Sequence, residues 1–567
     1  FSEIVTVTGI PKLTMETGVS DGIADYANGS GSTILIFNYI VAQGHLSSDL
    51  DYESDSALTL NSGTILDIAG NNANLNLPIP GTSSSFSANK AIVIDGIVPS
   101  VTSVSSPDEN RILTFGTTVG ITVTFDEFVT VIGTPQLSME TGTNDATLNY
   151  SSGSGSPTIS FNYTVAAGHT SNDLGYISSS SLTLNGGAIR DAAGNNAVLT
   201  IADPGSTGSL SANKSFAVDG IVPVMTSVTS SLADGSYMAG DTIPVAIVFD
   251  DNVYVIGSPQ ISLVTYSNNA NTIVDYSSGS GSPSIIFNYI VGLGHQSNSL
   301  DYSTTTALSL NGGSIRDVSG NNATLTLIPP GTDGSLSANK TLIVDGGAPV
   351  AESVTSAALN STYIVGDTII INISFSEDVI VTGSPTLTLE TGDNDAISNY
   401  TGGSGTSAIK FSYIVSEGNT TVDLGYTNQN ALELNQGSIN DFAGNNMVLL
   451  LPEPDSTGSL SFNKAITIDG ILPFVNSVSS LDSNGTYIFG DTIDITMNFS
   501  EDVNVTGSPQ LILETGSNDA SIPYLSGSGS TTLIFRYIIE NGHSSLDLGY
   551  ETDSSLVLNG GSITDLA

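Results

Sequence analysis

AIRDAAGNNAVLTIADPGSTGSLSANKSFAVDGIVP, residues 188–223, runs from an acidic turn to an Asp-Gly joint, and the chain repeats it. TILDIAGNNA closes on Ala73, SIRDVSGNNA on Ala323 and SINDFAGNNM on Met447, while SITDLA opens a fifth copy at Ser562. The joints IDGIVP, VDGIVP, VDGGAP and IDGILP close on Pro99, Pro223, Pro349 and Pro473. A second mark, FSE, FDE or FDD, places Phe at 1, 125, 249, 375 and 499, in steps of 124, 124, 126 and 124 residues. The long step has a local cause. Repeat 3 reads SLVTYSNNANTIVDY where repeat 2 reads SMETGTNDATLNY, an insertion of two residues in one hairpin. A period this long exceeds a solenoid unit and suits a whole domain.

Each repeat reads as β. Val119, Ile121, Val123 and Phe125 alternate with Gly120, Thr122 and Thr124, and Ile159, Phe161, Tyr163 and Val165 alternate with small polar residues. That is the pattern of half-buried strands. SSGSGSP between such runs is a turn, and no segment carries sustained helical periodicity with caps. Seven or eight short strands per repeat predict an antiparallel, Ig-like β-sandwich. The predicted domains are 1–96, 97–220, 221–346, 347–470 and 471–567, the first without its N-terminal strands and the last without its C-terminal ones. Two explanations stand for the incomplete ends: a window on a longer array, or strand exchange between chains.

At 567 residues the chain is too long for one core. It has 60 Gly, no Cys, no Trp, and ten basic residues against 55 acidic ones. A net charge of −45 argues against a nucleic-acid partner, which needs Lys and Arg, and suits a setting rich in divalent cations. The absence of Cys excludes disulfides and thiolate chemistry and fits an exported bacterial protein. No apolar run has the length of a membrane span.

Carboxylates recur at three places. One set is read at the end of the second strand: Glu3, Asp126 with Glu127, Asp250 with Asp251, Glu377 with Asp378, and Glu501 with Asp502. The second is the D-x-x-G-N turn: Asp67 with Asn71, Asp191 with Asn195, Asp317 with Asn321, Asp441 with Asn445, and Asp565. The third is the joint: Asp95, Asp219, Asp345 and Asp469. Sandwich topology places all three at the end where the chain enters, so Asp95 of repeat 1 is expected to meet Asp126, Glu127, Asp191 and Asn195 of repeat 2. Several hard oxygens gathered in one place suit calcium. The alternative is an Asx-type turn that needs no metal.

DAAGNN followed by VDGIVP, with FDE at the end of the second strand, resembles the bacterial Ig-like tandem repeats of giant calcium-dependent surface adhesins. The resemblance covers all five copies. It implies calcium at the domain joints, held by the joint Asp, the strand carboxylates and the turn Asp and Asn, and stiffening the string into a rod. The joint departs from the Asp-x-x-x-Pro pattern with internal Thr usual in such repeats. Gly346, Gly347 and Ala348 predict a joint that bends more.

Other recurrent residues read as structural. His45, His169, His295 and His543 follow Gly, with Asn419 in repeat 4. They lie a domain apart and cannot share a metal. Asp49, Asp51, Glu53 and Asp55, with Asp173, Asp301, Asp423 and Asp547, read as a solvated face or a second cation site. Lys90, Lys214, Lys340 and Lys464 predict a salt bridge to a repeated carboxylate. Tyr26, Tyr150, Tyr276, Tyr400 and Tyr524 are expected in the core, and sequons such as Asn149, Asn162 and Asn372 leave glycosylation open. No G-x-S-x-G, H-E-x-x-H or Cys nucleophile suggests an enzyme.

The expected function is a structural stalk of a large extracellular, surface-anchored or secreted adhesin. Its partners are neighbouring repeats of the same chain. The alternative is a self-assembling filament, sheath or surface layer, in which the partner is a second copy. A third class, accessory modules of a secreted hydrolase, requires a catalytic domain elsewhere.

Overall fold

The computed structural model describes residues 1–266 and 271–566. Residues 267–270, on which the insertion of repeat 3 partly falls, lie outside the described residues. The chain is a tandem series of all-β sandwiches. Repeat 2 shows the plan. Its large sheet runs, in spatial order, through strands Val101–Ser105, Thr118–Ile132, Ser156–Thr164, Ala146–Ser152, Gln136–Glu140 and Gly175–Tyr176. Leu182–Thr183 pairs with Gln136–Glu140, and Ala188–Arg190 pairs with the far half of Thr118–Ile132. The small sheet orders Arg111–Thr114, Phe216–Asp219 and Thr170–Ser171.

The strand Thr118–Ile132 has 15 residues and changes partners halfway. Thr118–Thr124 pairs with Thr158–Thr164, and after a register shift Thr130–Ile132 pairs with Ala188–Arg190. A strand that switches sheets this way turns a corner of the sandwich. The FDE mark therefore lies in the middle of the strand, not at its end. Alternation still holds through the corner. Phe125 and Val129 are buried, Asp126 and Phe128 are exposed, and Glu127 sits half-buried on the inner face between the two apolar residues.

Three further details depart from the sequence reading. Repeat 2 has eleven strands, several of them only two residues long. Arg111–Thr114 runs parallel to Phe216–Asp219, so the sandwich is not wholly antiparallel. VLTI forms no strand and makes only a parallel bridge between Val198 and Ser100. The Pro/Gly loop holds one helical turn, Leu210–Asn213, whose cap Ser209 accepts a hydrogen bond from the Ala212 N–H. Leu210 is fully buried and pins that turn to the core.

The recurrent Lys makes no salt bridge there. Lys214 Nζ donates to the Asp108 carbonyl at 2.6 Å, Lys340 to Leu232 at 2.8 Å and Lys464 to Ala358 at 2.9 Å. The adjacent Asn213, Asn339 and Asn463 donate to the Val104, Val228 and Val354 carbonyls. These donors satisfy carbonyls near the end of the first strand that no neighbouring strand pairs. The apolar clusters each draw on one repeat. Val104 to Val218, Met225 to Val344, Ala351 to Ile468 and Ile493 to Tyr537 are separate cores. Tyr150, Tyr276, Tyr400 and Tyr524 pack partly buried against them.

Candidate metal centre

The joints after repeats 1, 2 and 3 are gripped from both sides. In the joint after repeat 1, Gly96 N–H donates to the His45 carbonyl at 2.7 Å, and Gly44 N–H donates to the Gly96 carbonyl at 2.9 Å. Two residues past Ile97, the Pro99 carbonyl accepts from Val198 N–H of repeat 2 at 2.8 Å. The same double clamp binds Gly220 to His169, Gly346 to His295 and Gly470 to Asn419. Glycine is required by proximity. A Cβ on Gly346 would lie 2.1 Å from the Gly292 carbonyl oxygen, and one on Gly220 would lie 2.3 Å from that of Ala166.

A Tyr–His pair holds the gripping loop. His169 Nδ1 lies 3.1 Å from Tyr163 Oη and accepts from Ala166 N–H at 3.2 Å, with the two rings stacked. In repeat 4, Asn419 Oδ1 accepts from Tyr413 Oη at 3.0 Å and from Ser416 N–H at 3.1 Å. An amide oxygen can only accept, and the histidine Nδ1 it replaces likewise accepts from the loop N–H, Ala166 N–H in repeat 2. The recurrent histidine is a structural latch.

Above this clamp the carboxylates gather. One oxygen each from Asp95, Glu127 and Asp191 lie within 4.8 Å of one another, and so do oxygens of Asp345, Glu377 and Asp441. The joint Asp belongs to one repeat and the other two acids to the next. Two ligands on opposite sides of a calcium ion stand about 4.8 Å apart, so this spacing fits one cation. The turn Asp is held rigidly. Asp191 Oδ1 accepts from Gly194 N–H at 2.6 Å and Asn195 N–H at 2.8 Å, and Oδ2 accepts from Asn195 Nδ2 at 2.7 Å. Gly194 takes φ +102°, which only glycine adopts without strain.

The electrostatics call for a positive charge. Burial pushes the Glu127 carboxyl up, and the nearby Asp191, Asp95 and Asp126 push it further. Burial likewise raises Glu377, with Asp345 and Asp441 beside it, and raises Glu501, with Asp469 and Asp565 beside it. Asp345 is raised by burial, offset in part by a hydrogen bond from Gly347 N–H. The ion pairs found among the described residues, Lys12–Asp25, Arg111–Asp108 and Arg536–Asp494, lie elsewhere. Glu127 Oε1 and Glu501 Oε1 are buried and have no hydrogen-bond partner. A buried carboxylate oxygen left unpaired is costly and needs an explanation, and a bound cation supplies one.

The remaining carboxylates of the sequence reading stand apart. Asp126 faces the opposite side of its strand and accepts from Ser100 N–H at 2.8 Å and from Ser100 Oγ at 2.5 Å. Asp250 accepts from Val224 N–H in the same way, and Ser376 and Ser500 take over this role in repeats 4 and 5. Asp251, Asp378 and Asp502 are exposed. Asp219 accepts from Ile221 N–H; Asp469 accepts from Ile471 N–H but, unlike the others, lies beside Glu501 at its joint. Asn195, Asn321 and Asn445 use their amide N–H groups as braces. Asn195 Nδ2 also donates to the Asp95 and Ile97 carbonyls, and Asn445 Nδ2 to the Asp345 carbonyl. The same turn forms in repeat 1, where Asn71 Nδ2 donates to Asp67 Oδ2 at 2.7 Å. The turn is thus an Asx-type structure by itself, and the candidate site is the joint.

The sequence reading missed a contact that skips the joint. Asn321 Oδ1 accepts from Phe115 N–H of repeat 2 at 2.7 Å, and Asn445 Oδ1 accepts from Ala239 N–H of repeat 3 at 3.0 Å. It also missed the acidic stripe's structural use. Asp51 and Asp301 are buried and hold the helical-turn loop, through Gly81 N–H and Ser87 Oγ in one case and Gly331 N–H and Ser337 Oγ in the other.

No family model and no curated protein matches the chain. Among solved structures it is similar to the S-layer protein rSbsC(31-844), at 11% identity over 83% of this chain and 67% of that one, with a TM-score of 0.12. It is also similar to surface layer protein SbsC, domains 1-6, at 12% identity over 81% and 68%, again with a TM-score of 0.12. A TM-score this low carries no argument about function. No helix among the described residues is long and apolar enough to cross a membrane.

Proposed function

We propose that the chain is an extracellular structural protein whose serial sandwiches are locked end to end by divalent cations, calcium foremost, bound at the joints. The observation that carries this reading is the composition of the triad. Asp95 comes from one repeat, Glu127 and Asp191 come from the next, and Glu127 Oε1 is buried without a partner. A cation there ties two folded units through oxygen ligands. Asp95, Glu127 and Asp191 would hold it in one joint, and Asp345, Glu377 and Asp441 in another. The acidic surface, at −45 overall, keeps neighbouring molecules apart until cations neutralise it. The role is mechanical rather than catalytic, at the cell surface or in secreted material.

A second reading, self-assembly into a filament, sheath or surface layer, draws on a separate observation. The residue after the turn Asp is a bare apolar side chain in most repeats: Ile68, Val318, Phe442 and Leu566 are 53–80% exposed. Burying such side chains against a second copy would favour association. Sedimentation velocity of the chain in calcium and in chelator tests both readings. A frictional ratio that rises with calcium is expected from locked joints. An unchanged ratio contradicts them, and growth into large species in calcium favours the layer.

A further inference from the structure

We propose that the four joints are not equivalent: the one between repeats 2 and 3 does not take the cation, because Asp251 stands where the others carry Glu127, Glu377 and Glu501. This rests on the cation reading above. All four residues occupy the same inner-face position, two residues after Phe125, Phe249, Phe375 and Phe499. Aspartate is one methylene shorter, a loss of about 1.5 Å of reach. Metal–ligand distances tolerate only about 0.2 Å.

The geometry shows the shortfall. Asp95, Glu127 and Asp191 gather, as do Asp345, Glu377 and Asp441, but Asp219, Asp251 and Asp317 do not form such a group. Asp251 is exposed, and its Oδ1 accepts from its neighbour Asn252 N–H at 2.6 Å. Glu127 and Glu501, by contrast, each keep a buried oxygen that no protein group satisfies. The carboxylates of the joint between repeats 4 and 5 are not gathered within 4.8 Å either, but Glu501 lies beside Asp469 and Asp565 and its Oε1 is buried without a partner, which places this joint with the cation-binding ones. The joint between repeats 2 and 3 keeps its direct bond from Phe115 N–H to Asn321 Oδ1. It is therefore a joint held by protein contacts alone, set between stretches that cations lock.

Hydrogen exchange read by mass spectrometry on the full chain, in calcium chloride and in chelator, tests this. Exchange at 95–99, 345–349 and 469–473 slows by about tenfold or more on adding calcium, and exchange at 219–223 does not change. Asp251→Glu brings the slowing to 219–223, and the reciprocal Glu127→Asp removes it from 95–99. Equal slowing at all four joints of the unaltered chain overturns this proposal and leaves the cation reading intact. No slowing at any joint overturns the cation reading and this proposal with it. If neither variant shifts its joint while both retain the unaltered melting profile in chelator, side-chain length is not the cause and the proposal falls.

Discussion

Glu127→Gln, Glu377→Gln and Glu501→Gln, combined in one chain, will raise its melting temperature in chelator and lower it in calcium. Glutamine keeps the shape and removes the charge. Without a cation, each of these glutamates is a half-buried anion facing two further anions. In the joints of Glu127 and Glu377, two unit charges within 4.8 Å repel by about 3 kcal/mol at an effective dielectric of 20, and water at the joint screens this to about 1 kcal/mol per joint. Relieving it stabilises the cation-free chain by a few degrees. With calcium present the sign reverses, because a neutral amide is a poorer ligand than a carboxylate. Calcium at a hundred times its Kd stabilises an intact site by about 2.7 kcal/mol, most of which the variant forgoes. A purely structural role for these side chains moves both melting temperatures the same way.

Acid should act on the cation-free chain with the same sign. The folded-state pKa values of Glu127, Glu377, Glu501 and Asp345 are raised, so the folded state holds these protons more tightly than the unfolded state. The associated stability is fully present below the unfolded carboxylate range and is lost as pH rises through the folded values. Scanning calorimetry on the triple variant and its parent, in both buffers and across that pH range, checks all of this.

Gly220→Ala is the second large effect. The added Cβ meets the Ala166 carbonyl oxygen at 2.3 Å, Val165 Cγ1 at 3.0 Å and the His169 carbonyl oxygen at 3.1 Å. Two of these are backbone atoms of the latched loop, and that loop cannot retreat without breaking the Tyr163–His169 contact and the two bonds that clamp Gly220. The expected cost is about 2–3 kcal/mol of stability in repeat 2, with the joint released from its clamp. Gly175→Ala is the control. Its Cβ would lie 3.7 Å from Ser211 Oγ, an ordinary contact, and repeats 1 and 3 already carry Asp51 and Asp301 at that position. Urea unfolding of the two variants should separate them by more than 1 kcal/mol. Equal stabilities would mean that the close approach at the joint is not a constraint.

The repeat period and the alternation of Val119, Ile121, Val123 and Phe125 made tandem β-sandwiches legible, because long strands with one buried face write their period into the chain. The small sheet was not legible. Its strands are two to four residues long and its parallel pair joins residues 105 apart in sequence. The turn Leu210–Asn213 was equally silent, since one capped turn has no periodicity to display. At the site, the same alternation already distinguished Glu127 from Asp126. Phe125, Glu127 and Val129 share a face, and Asp126 does not. Reading FDE as the end of a strand discarded that signal. The pairing of Asp95 with Asp191 followed from topology alone. The joint glycine looked like a source of flexibility, whereas its missing side chain is what lets the loop grip it. The Lys partners were unreadable for a simpler reason: they are backbone carbonyls, which every residue has.

Cations, we propose, join one repeat to the next. Small-angle X-ray scattering of the chain, recorded in chelator and then through a calcium titration, tests it most directly. Calcium is expected to lengthen the maximum dimension and narrow the spread of end-to-end distances, and Glu127→Gln, Glu377→Gln and Glu501→Gln together to abolish the change. Scattering curves that superimpose with and without calcium would contradict it.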